Sequence, residues 1–118
     1  GWTNKRVRYP SCKADITINK DSEFSFSGID AKIIHTPGHS AGSMCVIIDH
    51  EIALAGDSLI GVFTGNCFPP FADDVTKLMR SWDKLLNTGC SLFLPSHGKA
   101  RTRRMLEQEL VRRRKSFR

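Results

Sequence analysis

The 118-residue chain has no apolar run near the roughly 20 residues that a membrane helix needs, so a spanning segment is not expected. Its first residues lack the charged-then-apolar pattern of a secretory leader. Cys12, Cys45, Cys67 and Cys90 stand far apart with no C-x-x-C pair, which removes the usual thiol-redox and zinc-ribbon patterns. Aromatic residues make up only 8% of the chain, and none is interleaved among the cations from Arg101 to Lys115, so a base-stacking surface is not expected there. There is no initiator Met. The chain begins at Gly1 and its methionines lie at 44, 79 and 105, so a processed product or an excised piece is expected. Histidine is scarce too, with four in all.

What is present is ordinary globular material, 40% apolar and 25% charged, enough for one domain over 1–118 with a modest core. Four separated cysteines without other secretory signs read as reduced thiols in a cytoplasmic protein. The net charge of +6 is uneven. The stretch from Arg101 to Arg118 carries eight cations against Glu107 and Glu109, which accounts for the whole excess. Such a tail can attract phosphate, but a solvated helix with cations at its C-terminal end is the simpler reading.

Alternation of apolar and polar residues predicts strands at 15–18 and 23–26, joined through the turn residues Asn19 to Ser22. A third strand is expected at 31–34. Met44 to Ile48 is continuously apolar and reads as a strand covered on both faces. Further strands are expected at 52–55 and 91–94. Val75, Leu78, Met79, Trp82, Leu85 and Leu86 share one helical face, with Asp73 or Asp74 as N-cap and Gly89 near the C-terminal end. A last helix is expected from about Thr102 to Arg114, with Met105, Leu106 and Leu110 inward. Residues 1–14 lack periodicity and suggest an arm. The order β-β-β-β-β-α-β-α implies an α/β domain with a sheet carrying helices on one face.

Three short loops hold residues with metal-ligating chemistry. They are Thr36-Pro37-Gly38-His39-Ser40-Ala41-Gly42-Ser43, Gly56-Asp57-Ser58-Leu59 and Pro95-Ser96-His97-Gly98. Each follows an apolar stretch, so His39, Asp57 and His97 are expected at or beyond strand ends, where sites are commonly built. Imidazole and carboxylate suit Zn²⁺ and, less selectively, Mn²⁺ or Fe. His35 reads as a strand-end residue with a hydrogen-bonded ring, His50 as a solvated turn residue, and Cys67 as structural. Ser40 and Ser43 are expected to close the turn around His39, and Ser58 to support a ligand.

In order and spacing these three loops resemble the later metal motifs of the metallo-beta-lactamase superfamily, which includes glyoxalase II-like thioesterases, lactonases and nucleases. The likeness runs from about Ile29 to His97. It implies half of a four-layer αβ/βα sandwich, with a mostly antiparallel sheet and helices on one face. It further implies that His39, Asp57 and His97 are metal ligands, that Asp57 also serves catalysis as the bridging carboxylate, and that a complete protein would hold a two-metal site. The implied activity is hydrolysis of an ester, thioester, lactone or phosphodiester by metal-bound hydroxide. The family's His-x-His-x-Asp-His motif is absent from this sequence. The implied cage is therefore incomplete, and this chain by itself is expected to be inactive. Its implied partners are a small-molecule substrate and a second copy covering an exposed sheet face, with no membrane and no nucleic acid. The alternatives are a non-catalytic self-associating chain and a nucleic-acid binder acting through the Arg-rich tail.

Overall fold

Alternating apolar and polar residues build a single six-stranded sheet in the computed structural model, which describes residues 10–116. The strands are β1 (Ser22–Phe26), β2 (Ile29–His35), β3 (Met44–Ile48), β4 (Ile52–Gly56), β5 (Leu92–Pro95) and β6 (Arg101–Thr102). They lie side by side in sequence order. All pairs are antiparallel except β4–β5. That parallel step requires a crossover, and the helix α1 (Val75–Leu86) lies within it. A second helix, α2 (Arg103–Ser116), follows β6 directly. The result is a mixed α/β half-sandwich of the expected class, with both helices packed on one sheet face.

Register separates the two faces. Ile47, Ala53 and Phe93 form a cross-strand row, all buried, against Leu78, Trp82 and Leu85 of α1 and Leu106 and Leu110 of α2. The next row, Ile33, Val46, Leu54 and Leu94, points to the opposite side. No helix covers it among the described residues, and Leu54 and the neighbouring Met44 are exposed. The expectation that Met44 to Ile48 is covered on both faces is therefore corrected. An unbroken apolar run marks a face that can be covered as well as one that is.

The first hairpin also differs from expectation. Residues 15–18 form no strand, and Ile16 is exposed. β1 instead pairs with β2 around Ser27–Gly28, both at positive φ, a two-residue turn matched to strand twist. Alternation alone could not distinguish Ile16–Ile18 from a strand that finds a partner. The N-terminal arm expected over 1–14 lies outside the described residues as far as residue 9, and 10–14 are exposed and irregular.

α1 forms as its pattern predicts. Asp74 is the N-cap and accepts from the Lys77 amide at 3.0 Å. Asn87 closes the C-terminal end, two residues before Gly89. In α2, Leu106 and Leu110 are buried as expected, but so is Glu109, which hydropathy alone assigns to the surface. All four cysteines are free, with Cys12 exposed and the others buried. Among the described residues no helix is long and apolar enough to cross a membrane.

Candidate metal centre

The loop carrying His39 joins β2 to β3 and is held from two directions. Across its neck the Thr36 amide donates to the Ser43 carbonyl at 2.9 Å. The Ser40 and Ser43 hydroxyls, 2.8 Å apart, close its tip as expected. From the start of α1, the Asp74 amide donates to Gly38 O and the Asp73 amide to His39 O. The Ser81 hydroxyl donates to Pro37 O at 2.7 Å. Gly38 is required here. Its φ is 140°, and a β-carbon would fall 2.4 Å from Leu78. The helix can therefore approach the loop only where a side chain is missing.

Asp57 follows β4 at a register shift between Leu54 and Gly56, an irregularity that re-aims the chain at the sheet edge. Its neighbour Ser58 is buried. The Ser58 hydroxyl lies 3.2 Å from Thr36 Oγ1, and its carbonyl accepts from the Trp82 indole at 2.7 Å. Ser58 thus ties two of the loops and the core helix together: its hydroxyl pairs with Thr36 and Cys45, and its amide and carbonyl bond to Ala55 and Trp82, rather than to the Asp57 carboxylate. His97 follows β5. Its carbonyl accepts from the Gly61 amide at 2.8 Å, where the Gly61 and Gly98 backbones meet too closely for a side chain on either.

These three placements bring the sequence-predicted residues together. His39 Nδ1 lies 2.8 Å from the Phe71 carbonyl. A carbonyl only accepts, so Nδ1 carries the proton and Nε2 of a neutral ring presents its lone pair. That lone pair faces Asp57 Oδ2 at 3.8 Å. On the other carboxylate oxygen, His97 Nδ1 donates to Asp57 Oδ1 at 3.0 Å.

The donor set can be tested against a metal ion. Two donors each about 2.0–2.2 Å from one ion stand at most about 4 Å apart, so His39 Nε2 and Asp57 Oδ2 are within that reach. Outer-sphere bonding of a ligand histidine through its other nitrogen to a backbone carbonyl is the usual arrangement, and Phe71 O supplies it. His97 departs from the pattern by spending Nδ1 on Asp57, and its side chain is 68% exposed. Among the described residues no three His, Cys, Asp or Glu side chains are grouped so as to hold an ion. The residues fit part of a metal centre and not the whole of one.

The other sequence candidates separate cleanly. Asp73 and Asp74 serve the start of α1. His50 sits in the β3–β4 turn at positive φ, exposed. His35 is corrected: its ring Nε2 is buried without a hydrogen-bond partner, although its amide donates to Asp21 at 2.9 Å. Cys67 is buried, and burial pushes its thiol up, away from nucleophilic use. Cys45 behaves alike for the same reason, despite hydrogen bonds with Thr36 and Ser58.

Sequence reasoning missed what holds the loop beyond Asp57. Arg101, 5% exposed, donates to the carbonyls of Ile60, Phe63 and Asn66. Buried Glu109 accepts from the Phe68 amide and pairs with Arg112 and Arg113. Arg113 also lies over the Phe68 ring at 4.5 Å. The Arg112 guanidinium reaches the Gly65 carbonyl at 2.7 Å. The only sequence signal was a glutamate between Met105–Leu106 and Leu110 on the helix, within an arginine-rich run.

Comparison with known proteins places the chain among relatives. Over 76 residues it is 32% identical to a lactamase-like protein of Pestalotiopsis microspora. It is 33% identical over the same length to an atrochrysone carboxyl ACP thioesterase of Aspergillus fumigatus. Each match takes in 64% of this chain and 22% of the relative. The chain thus spans about a fifth of the curated relatives it matches. Among solved structures, an archaeal metallo-beta-lactamase superfamily protein from Sulfolobus tokodaii superposes with a TM-score of 0.69 at 26% identity. That match covers 82% of this chain and 38% of that one. A metallo-beta-lactamase from Pontibacter korlensis shares the fold, with a TM-score of 0.68 at 20% identity, over 82% of this chain and 47% of that one. No family model matches the chain.

Proposed function

This chain belongs to the metallo-beta-lactamase superfamily, and from that premise we propose that it is part of a metal-dependent hydrolase acting on an ester, thioester, lactone or phosphodiester. One observation carries the reading: an imidazole locked in the Nδ1–H form aims its free nitrogen at a carboxylate whose other oxygen holds a second imidazole. In this reading His39, Asp57 and His97 are metal ligands, and the remaining ligands come from residues outside this sequence. Zn²⁺ suits the donors best, with Mn²⁺ or Fe as alternatives. A bound ion of this kind lowers the pKa of a coordinated water to about 7 and polarises the bond to be cleaved. The chain's own residues do the positioning. Phe71 O holds the His39 proton away from the centre, and Asp57 offers one oxygen to each side. His97 would serve as a ligand by giving up its bond to Asp57. Alone, the chain is inactive.

The test is equilibrium dialysis against Zn²⁺ together with a thioester hydrolysis assay. The expected result is weak uptake that Asp57→Ala abolishes, and no chelator-sensitive turnover by the isolated chain. Uptake indifferent to Asp57→Ala contradicts the reading. The compartment we assign is the cytoplasm, which keeps Cys12 and its three buried companions as thiols.

A second reading is supported by the open sheet face. Ile33, Val46, Leu54 and Leu94 make a charge-free apolar row, flanked by exposed Met44. Monomers rarely present such a surface. Two copies related by a two-fold axis would cover it. Sedimentation at micromolar concentration decides this: a dimer supports it, and a well-folded monomer removes it. Arg101, Arg103, Arg112, Arg113 and Arg114 all bond within the chain, which supports a structural role for the basic tail over a nucleic-acid surface.

A further inference from the structure

We infer that Ser81 and Trp82, consecutive residues of α1, are positioning residues that set the separation of His39 and Asp57. The inference deepens the hydrolase reading and rests on it for the role of the metal. Each side chain donates to one carbonyl beside one candidate ligand. The Ser81 hydroxyl holds Pro37 O, two residues before His39, at 2.7 Å. The Trp82 indole N–H holds Ser58 O, one residue after Asp57, also at 2.7 Å.

Two features carry the argument. First, the helix itself needs neither polar group. Ser81 and Trp82 are 3% and 0% exposed, and the other buried residues of α1 are Leu78, Leu85 and Leu86. A mid-helix serine has modest helix propensity, and its hydroxyl commonly turns back to its own helix. Here it crosses to the loop that carries His39. A buried indole N–H must find an acceptor, and a leucine would fill the same face without that demand. Second, the helix is a stiff ruler. Consecutive Cα atoms are about 3.8 Å apart and turn by about 100° around the axis. Two adjacent side chains therefore reach different loops from one fixed base.

The direct tie between the two loops is looser, because the Thr36 and Ser58 hydroxyls stand 3.2 Å apart, long for such a pair. Spacing thus falls to the helix. Pro37, with its fixed φ, carries the Ser81 anchor toward His39. The Trp82 ring adds a third link. It packs on Phe68 with centroids 5.3 Å apart, and Pro69 and Pro70 connect Phe68 to Phe71, whose carbonyl takes the His39 ring proton. The outcome is His39 Nε2 at 3.8 Å from Asp57 Oδ2, just inside the span of about 4 Å that one ion can bridge. Little slack is left.

The experiment is a set of metal-free crystal structures of the whole chain and its variants, with Zn²⁺ titrations of the same proteins. Ser81→Ala and Trp82→Phe each remove one donor. The expected result is a His39 Nε2 to Asp57 Oδ2 separation beyond about 4 Å and Zn²⁺ binding about tenfold weaker. Ser81→Thr keeps the hydroxyl, and the groove beside Ser81 has room for the added methyl, so both values stay near those of the native chain. Ile47→Val trims a buried methyl from the sheet and lowers the urea midpoint without moving either value. An unchanged separation in folded Ser81→Ala overturns the positioning role, as does an equal change in Ile47→Val. If Trp82→Phe does not fold, the Ser81 variants decide alone. Because the separation is read without metal, the two claims fail apart. A Zn²⁺ response lost in Asp57→Asn, with the separation unmoved in Ser81→Ala, removes only the positioning role. A longer separation in Ser81→Ala, with no Zn²⁺ response in the native chain, removes only the hydrolase reading.

Discussion

Two charged clusters touch the loop between Ile60 and Phe71, and they use their bonding capacity in opposite ways. Arg101 and Glu109 are buried and bonded within the chain, with guanidinium and carboxylate directed to loop backbone and neighbouring arginines. His39, Asp57 and His97 are partly exposed, and His39 Nε2 faces an oxygen with no proton between them. Residues of similar chemistry thus divide into a clamp and a site. What separates them is whether donors and acceptors match within the chain. A buried polar group must be satisfied or it costs stability. A site must keep something unspent.

That contrast is sharpest under substitution of the clamp. Arg101→Met leaves three loop carbonyls without their donor and should cost about 3 kcal/mol, read as a lower urea midpoint. Glu109→Ala comes next, at about 2 kcal/mol, because the Phe68 amide loses its acceptor and Arg112 and Arg113 lose their counter-ion. A near-zero cost for either would make the clamp no different from an ordinary surface pair. Asp57→Asn should do the reverse. It should change stability by no more than about 0.5 kcal/mol while abolishing the response to Zn²⁺. Loss of folding in that variant would make the site a second clamp.

The smallest effect concerns an exposed pair outside both clusters. Burial pushes the Asp21 carboxyl up, but the Lys84 hydrogen bond, the His35 amide and the Lys84 charge outweigh it and leave the pKa below 3.8. A depressed carboxylate stabilises the fold above its unfolded pKa, and that stability is lost as pH falls through the folded value. Both side chains are more than a third exposed, so solvent screening limits the pair to about 0.5 kcal/mol. Asp21→Asn should therefore flatten the acid limb of the stability profile below pH 4 and leave neutral pH nearly unchanged. A large loss at pH 7 would show that Asp21 does more than its ion pair.

How much of this was legible follows from which forces leave local traces. The apolar face of α1, the buried strand around Phe93 and the loops after β2, β4 and β5 were all readable, because periodicity and Gly/Pro punctuation are local. The convergence of His39, Asp57 and His97 was expected from their common position past strand ends, and the distances agree. The false strand at 15–18 arose because alternation says nothing about finding a partner. The clamp was invisible for a related reason. Arg101 meets Ile60, Phe63 and Asn66 across some forty residues of sequence, and an arginine-rich helix looks alike whether it faces water or its own loop. The unpartnered ring nitrogen of His35 had no sequence signal at all.

The central claim, that His39 and Asp57 face each other as two donors of an incomplete metal centre, is tested most directly by long-range ¹⁵N NMR of the histidine rings during a Zn²⁺ titration. The account predicts an Nδ1–H tautomer for His39 before metal and a saturable shift at its Nε2 on addition, absent in Asp57→Asn. An Nε2–H tautomer for His39, or a Zn²⁺ shift that survives Asp57→Asn, would contradict it.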